Sequence, residues 1–172
     1  LVLVTAHRRE NFGAPIRQIC QALRVLSEHF GREVQFVYPV HLNPNIQIPV
    51  HELLADLENV HLVDPLDYLS LIHLMRSATV VLTDSGGIQE EAAGLGKPTL
   101  VLREVTERPE GLQAGVLRLV GSDPQKIIDE TTRLLEDEAA YARMAQTTNI
   151  FGDGKAAARI VDALVTFAEY PV

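Results

Sequence analysis

One cysteine, Cys20, is the whole thiol content of the 172-residue sequence. Within one chain that excludes a disulfide and a cysteine metal cluster, and it suits a reducing compartment. Cys20 falls in the series Ile16, Ile19, Cys20, Leu23, Leu26, whose spacing is helical, so the thiol is expected to be a small buried hydrophobe. No apolar run approaches the roughly 20 residues that a membrane helix needs, and no signal-peptide pattern is visible; a cytoplasmic location is the expectation. Positive charge is scarce too. Fifteen Lys and Arg against 23 Asp and Glu leave a formal net charge of −8. Nucleic-acid binders carry a basic patch, which disfavours that class, although a local basic cluster could still serve a small anion. Internal repeats and low-complexity segments are absent.

At 47% hydrophobic and 22% charged, the chain can bury a full core as one domain. Apolar, β-rich runs stand at Leu1–Thr5, Val34–Tyr38, Val60–Val63, Thr79–Thr83, Thr99–Leu102 and Val116–Val120. They lack period-two alternation, as strands buried on both faces of a parallel sheet do. Helical patterns separate them at Ala14–Phe30, roughly Pro49–Leu57, Asp67–Ser77, Ile88–Leu95 and Pro124–Glu136. Asp123 before Pro124 makes an N-cap and N1 pair. A last amphipathic helix is expected over about 156–170, with Ile160, Ala163, Leu164 and Phe167 on one face. This βα alternation predicts an α/β, Rossmann-like doubly wound sheet over 1–172. Because "LVLVT" reads as a buried strand from residue 1 with no methionine before it, the expectation is a piece of a longer protein.

Such sheets bind ligands at the carboxyl ends of their strands. The loop after the first strand is "AHRREN": an imidazole, two guanidiniums and a carboxylate, suited to neutralising a diphosphate or merely to forming a solvated basic turn. "YPVHLNPN" follows the second strand, with His41 held between Pro39 and Pro44. After the third, "DPLDYLS" offers Asp64 or Asp67 as a helix cap. The fourth strand runs into "TDSGGIQEE". Gly86 and Gly87 permit close approach to backbone, and the first N–H groups of the following helix make an anion site. Ser85 can cap that helix and donate to a phosphate. Glu91 lies one turn, about 6 Å, beyond Gly87 on the same face, placed to accept two hydrogen bonds from vicinal ribose hydroxyls. Glu90 points off that face toward solvent. The pattern is neither a dinucleotide fingerprint nor a P-loop, so neither NAD nor ATP hydrolysis is expected, and no metal. After the fifth strand, Arg108 beside Pro109 could close over a ligand or pair with Glu104 or Glu107.

Taken together, "AHRRENFG", "YPVHLNPN", "DSGGIQEEAAGLGKP", "TERPEG" and "FGDGKAA" resemble the C-terminal half of the non-hydrolysing UDP-N-acetylglucosamine 2-epimerases, in order, from residue 1 to about Ile160. The resemblance implies the second half of a two-domain GT-B architecture. It implies an isomerase without cofactor that interconverts UDP-GlcNAc and UDP-ManNAc, by eliminating UDP to 2-acetamidoglucal and adding it back with C2 inverted. The C2 acid/base carboxylates would lie in an N-terminal domain this sequence lacks, and the full enzyme would be a homodimer. By resemblance, His7 is catalytic, near the diphosphate. Ser85, Gly86 and Gly87 hold phosphates, Glu91 the ribose, and Arg108 a hydroxyl or phosphate. Arg8 also contacts substrate. Arg8, Glu10 and His41 match the contacts of a UDP-GlcNAc activator. Uridine would rest on Pro65–Leu71, where Leu66 and Leu71 replace a polar and an aromatic residue of some members, so apolar contact and backbone groups are expected to hold uracil. Rival readings are a GT-B glycosyltransferase, a hydrolysing epimerase and a nucleotide-binding module without catalysis.

Overall fold

The computed structural model describes residues 1–146 and 150–169. Six strands form one sheet: β1 (Val2–Thr5), β2 (Phe36–Pro39), β3 (Val60–Val63), β4 (Val80–Thr83), β5 (Thr99–Val101) and β6 (Leu117–Leu119). Their order is β3-β2-β1-β4-β5-β6, every pairing parallel. This is the doubly wound topology the sequence predicts. β1 and β4 are adjacent but far apart in sequence, and the crossovers diverge on either side of them. A crevice therefore opens at their carboxyl ends. Val2, Leu3, Val4, Val80, Val81 and Leu82 are wholly buried, which explains why these strands read as continuous apolar runs.

The helices are α1 (Ala14–Phe30), α2 (Pro44–Leu54), α3 (Tyr68–Ser77), α4 (Gly86–Gly94), α5 (Pro109–Gln113), α6 (Pro124–Glu136), α7 (Glu138–Met144) and α8 (Ala156–Glu169). α1 buries the predicted face, Cys20 included, and that burial pushes the thiol up to about 12, which leaves it inert. α2 starts five residues before the predicted Pro49. Asn43 caps it, accepting from the Asn45 N–H at 3.0 Å, and Pro44 takes the first turn, where a missing N–H is harmless. Pro49 is then an interior residue; it joins Ile46, Val50 and Leu54 on the buried face, and that burial outweighs one lost backbone bond. α5 and α7 were not predicted. Asp137 caps α7 with two backbone N–H bonds of 2.9 Å. α8 covers the expected tail helix, residue 170 lying outside the described residues. Its Ile160, Leu164 and Phe167 are exposed.

Candidate functional site

Four elements converge at the crevice. β4 delivers Asp84 and Ser85 into the first turn of α4. Ser85 occupies the N-cap position with extended backbone, but its hydroxyl makes no cap bond, which leaves it available to a ligand. Neither Gly86 nor Gly87 has a positive φ, so turn geometry is not why glycine stands there. Gly87 is open: a Cβ on it would meet nothing within 4 Å. Gly86 faces Arg108. A Cβ there would lie 3.2 Å from Arg108 Cζ and 3.3 and 3.4 Å from its two terminal nitrogens, so the guanidinium rests face-on against the α4 N-terminus. Its Nε donates to Glu90 Oε1 at 2.6 Å. Among the described residues its terminal nitrogens have no hydrogen-bond partner, and a fork of donors joins the unpaired first N–H groups of the helix.

Two expectations about charge need correcting. Arg108 pairs with neither Glu104 nor Glu107, and Glu90 is not simply solvated; the two pair with each other. Glu107 and Glu10 are taken by Arg103. The reason is burial. Arg103 leaves β5 only 6% exposed, and a buried cation needs carboxylates around it. Hydrogen bonding to Arg103 in turn draws the Glu107 carboxyl down to about 2. Glu10 is therefore engaged within the chain rather than free beside Arg8. A hollow of about 230 Å³ beside Arg103 is lined by Glu10 and Arg103, which pair with each other, and by Glu104.

The β1 loop carries His7 and Arg8. Asp84, wholly buried, ties that loop to β4: its Oδ2 accepts from the backbone N–H groups of His7 at 2.8 Å and Arg8 at 2.7 Å, and from Asn11 Nδ2 at 2.9 Å. Asn11 also donates to the Leu102 carbonyl, reaching the end of β5. The sequence reading missed Asp84. Its one signal was position: a carboxylate at the mouth of a central strand, where the ligand's charge called for cations.

His7 stacks on His41, ring centroids 5.5 Å apart and nearly parallel. His41 Nδ1 accepts from the Asn43 N–H at 3.0 Å, so a neutral His41 carries its proton on Nε2. Both rings line an open cleft of about 150 Å³ with Thr5, Pro39, Pro65, Leu66, Leu71 and Ile88. Leu66 and Leu71 thus form part of an apolar lining shared with His7. Glu91 stands half-buried on α4. Burial raises its carboxyl above the ordinary range, the nearby Tyr68 hydroxyl works against that rise and the Glu90 charge adds to it. Tyr68, exposed at the start of α3, is a further unforeseen neighbour. Asp67, one of the two expected caps, accepts from the Ser70 N–H at 3.0 Å. His7, Ser85, Gly86, Gly87 and Arg108 therefore gather at one crevice, with Leu66 and Leu71 on its flank and Glu91 a turn along α4.

Comparisons with known proteins identify the family. The family model described as UDP-N-acetylglucosamine 2-epimerase matches residues 1–165. An Escherichia coli K12 UDP-N-acetylglucosamine 2-epimerase is 53% identical over 165 residues, which are 95% of this chain and 43% of that protein. The crystal structure of Neisseria meningitidis UDP-GlcNAc 2-epimerase bound to UDP-GlcNAc superposes with a TM-score of 0.93 at 47% identity, over 96% of this chain and 44% of that one. The Methanocaldococcus jannaschii enzyme, solved with UDP-GlcNAc and UDP, gives 0.81 at 30% identity over 96% and 45%. The chain spans less than half the length of these relatives, yet the match covers nearly all of it, and it belongs to the UDP-N-acetylglucosamine 2-epimerase family.

Proposed function

We propose that this chain is the UDP-binding part of a non-hydrolysing epimerase that interconverts UDP-GlcNAc and UDP-ManNAc. The observation that carries the reading is the guanidinium of Arg108 lying against Gly86 beside the open α4 N-terminus, with His7 backed by Asp84 across the crevice. A diphosphate takes hydrogen bonds from Ser85, the first N–H groups of α4 and the free edge of Arg108. Glu91 receives the ribose hydroxyls, and uracil lies on the wall of Leu66 and Leu71. His7 faces the bond that breaks. As a base in the remaining domain removes the C2 proton, the C1–O bond cleaves and its electron pair passes to the diphosphate oxygen. His7 protonates that oxygen; in the reverse sequence UDP adds back at C1 while a proton is delivered to the opposite face of C2, which inverts that centre. Arg8 and His41, with Glu10 fixed by Arg103, form the edge where a second UDP-GlcNAc acts as activator. An N-terminal domain closing the cleft, a homodimer and a cytoplasmic location complete the proposal, each supported by the family resemblance.

Calorimetric titration of this chain with UDP tests the reading. Saturable binding that prefers UDP over UMP and ADP is expected, with no exchange of the C2 hydrogen of UDP-GlcNAc by this chain alone. No binding at millimolar UDP would count against a site formed by these residues, and exchange at C2 would show a base within this chain. Gly86→Ala puts a methyl group where Arg108 now rests. It should weaken UDP by about 1–2 kcal/mol, since a charge-assisted bond must shift, with the thermal midpoint nearly unchanged. Unaltered UDP affinity would remove Arg108 from the site.

A further inference from the structure

The two oxygens of Asp84 differ sharply. Oδ2 is saturated by three donors from three positions on the β1 loop and the turn after it. Oδ1 is buried and has no hydrogen-bond partner among the described residues. It faces one polar atom, His7 Nδ1, at 3.6 Å. An unsatisfied oxygen on a buried carboxylate is expensive, and a shift of about 0.7 Å would bring Nδ1 into charge-assisted hydrogen-bond range. Because the His7 and Arg8 amides are pinned to the other oxygen of the same carboxylate, the imidazole has little freedom to turn away. With a bare Nδ1, two lone pairs would face each other and Oδ1 would stay unpaired. With Nδ1–H both problems vanish.

We infer that Asp84 is the positioning residue of His7: it holds the imidazole with a proton on Nδ1 and Nε2 turned to the cleft. The catalytic consequence rests on the epimerase reading. The imidazolium gives its Nε2 proton to the departing diphosphate oxygen, keeps Nδ1–H toward Asp84, and takes the Nε2 proton back when UDP adds again. The rest of the surroundings permit this. His41, stacked on the ring, has its Nδ1 engaged by the Asn43 N–H, so that atom does not compete for Asp84. The adjoining Arg8 side chain is exposed, where water screens it. The other lining groups, Thr5, Pro39, Pro65, Leu66, Leu71 and Ile88, do not titrate in the neutral range. In Asp84→Asn the amide oxygen can still accept from the His7 and Arg8 backbone, while the amide N–H₂ turns toward Nδ1 and favours the opposite tautomer.

Long-range ¹⁵N NMR of the histidine rings of this chain, against pH, decides it. The wild-type chain should show His7 protonated on Nδ1 when neutral. Folded Asp84→Asn should show the proton on Nε2 instead. A wild-type His7 with its proton on Nε2 overturns the inference, and so does an unchanged tautomer in folded Asp84→Asn. Should that variant fail to fold, the wild-type tautomer alone settles the matter. Neither readout involves nucleotide, so failure of the wild-type chain to bind UDP would sink the functional reading and leave this assignment standing.

Discussion

His7→Ala is expected to lower turnover of the full-length epimerase by about 10²–10⁴-fold, the range of a well-placed general acid, while the domain stays folded. The asymmetry follows from how His7 is held. Its backbone N–H, which anchors Asp84, survives the substitution. What is lost is a side chain that is 38% exposed, 3.6 Å from Asp84 Oδ1 and stacked on His41. The vacated, solvent-exposed position lets water reach Asp84 Oδ1 in place of the imidazole, so the thermal midpoint should fall only modestly. Binding should also change less than turnover, because in the proposed site Ser85, the α4 N–H groups and Arg108 would carry the diphosphate without His7. Steady-state rates in both directions, with UDP affinity measured beside them, check this. Near-normal turnover would remove His7 from the chemistry, and an equal loss in affinity and rate would make it a binding group only.

The sheet was legible because strands buried on both faces leave an unbroken apolar record, and all six appear within two residues of the predicted bounds. The crevice was legible for a related reason: topology alone sends ligands to the mouths of β1 and β4, and "TDSGGIQEE" lies there. Legibility ended where partners are chosen in space. Glu90 and Arg108 are 18 positions apart, and nothing local pairs them in preference to Glu107, which is closer in sequence. That choice depends on Arg103 being buried and drawing Glu107 and Glu10 to itself. Asp84 was missed because a carboxylate beside a phosphate site looks wrong until its three donors are seen. What the glycines face was also beyond reach of the sequence. Gly86 and Gly87 read as glycines that admit a ligand to the backbone; at Gly86 the missing Cβ makes room for a guanidinium, and at Gly87 it leaves open space.

Glu91→Gln should move stability and affinity in opposite directions. The Glu91 carboxyl lies above its ordinary value in the folded chain, chiefly through burial, with the Glu90 charge adding to it. The unfolded chain therefore releases that proton more readily, and stability attributable to this group falls as pH rises from the ordinary carboxylate range through the raised folded value. At neutral pH the ionised side chain is a liability that Gln lacks, so the thermal midpoint of Glu91→Gln should lie above the wild type. Below the ordinary carboxylate range, where the group is protonated in both states, that advantage should vanish. Nucleotide binding reverses the preference. Two ribose hydroxyls donating to a carboxylate favour its charged form, and a neutral amide offers one oxygen in place of two. UDP affinity should drop by about 1–3 kcal/mol, roughly five- to 150-fold, and the wild-type affinity should itself weaken as Glu91 protonates in acid. A residue kept only for packing would not behave this way: substitution would lower stability and leave UDP binding intact. A gain in stability with a loss of nucleotide is the mark of a group strained in the empty site and relieved by its ligand.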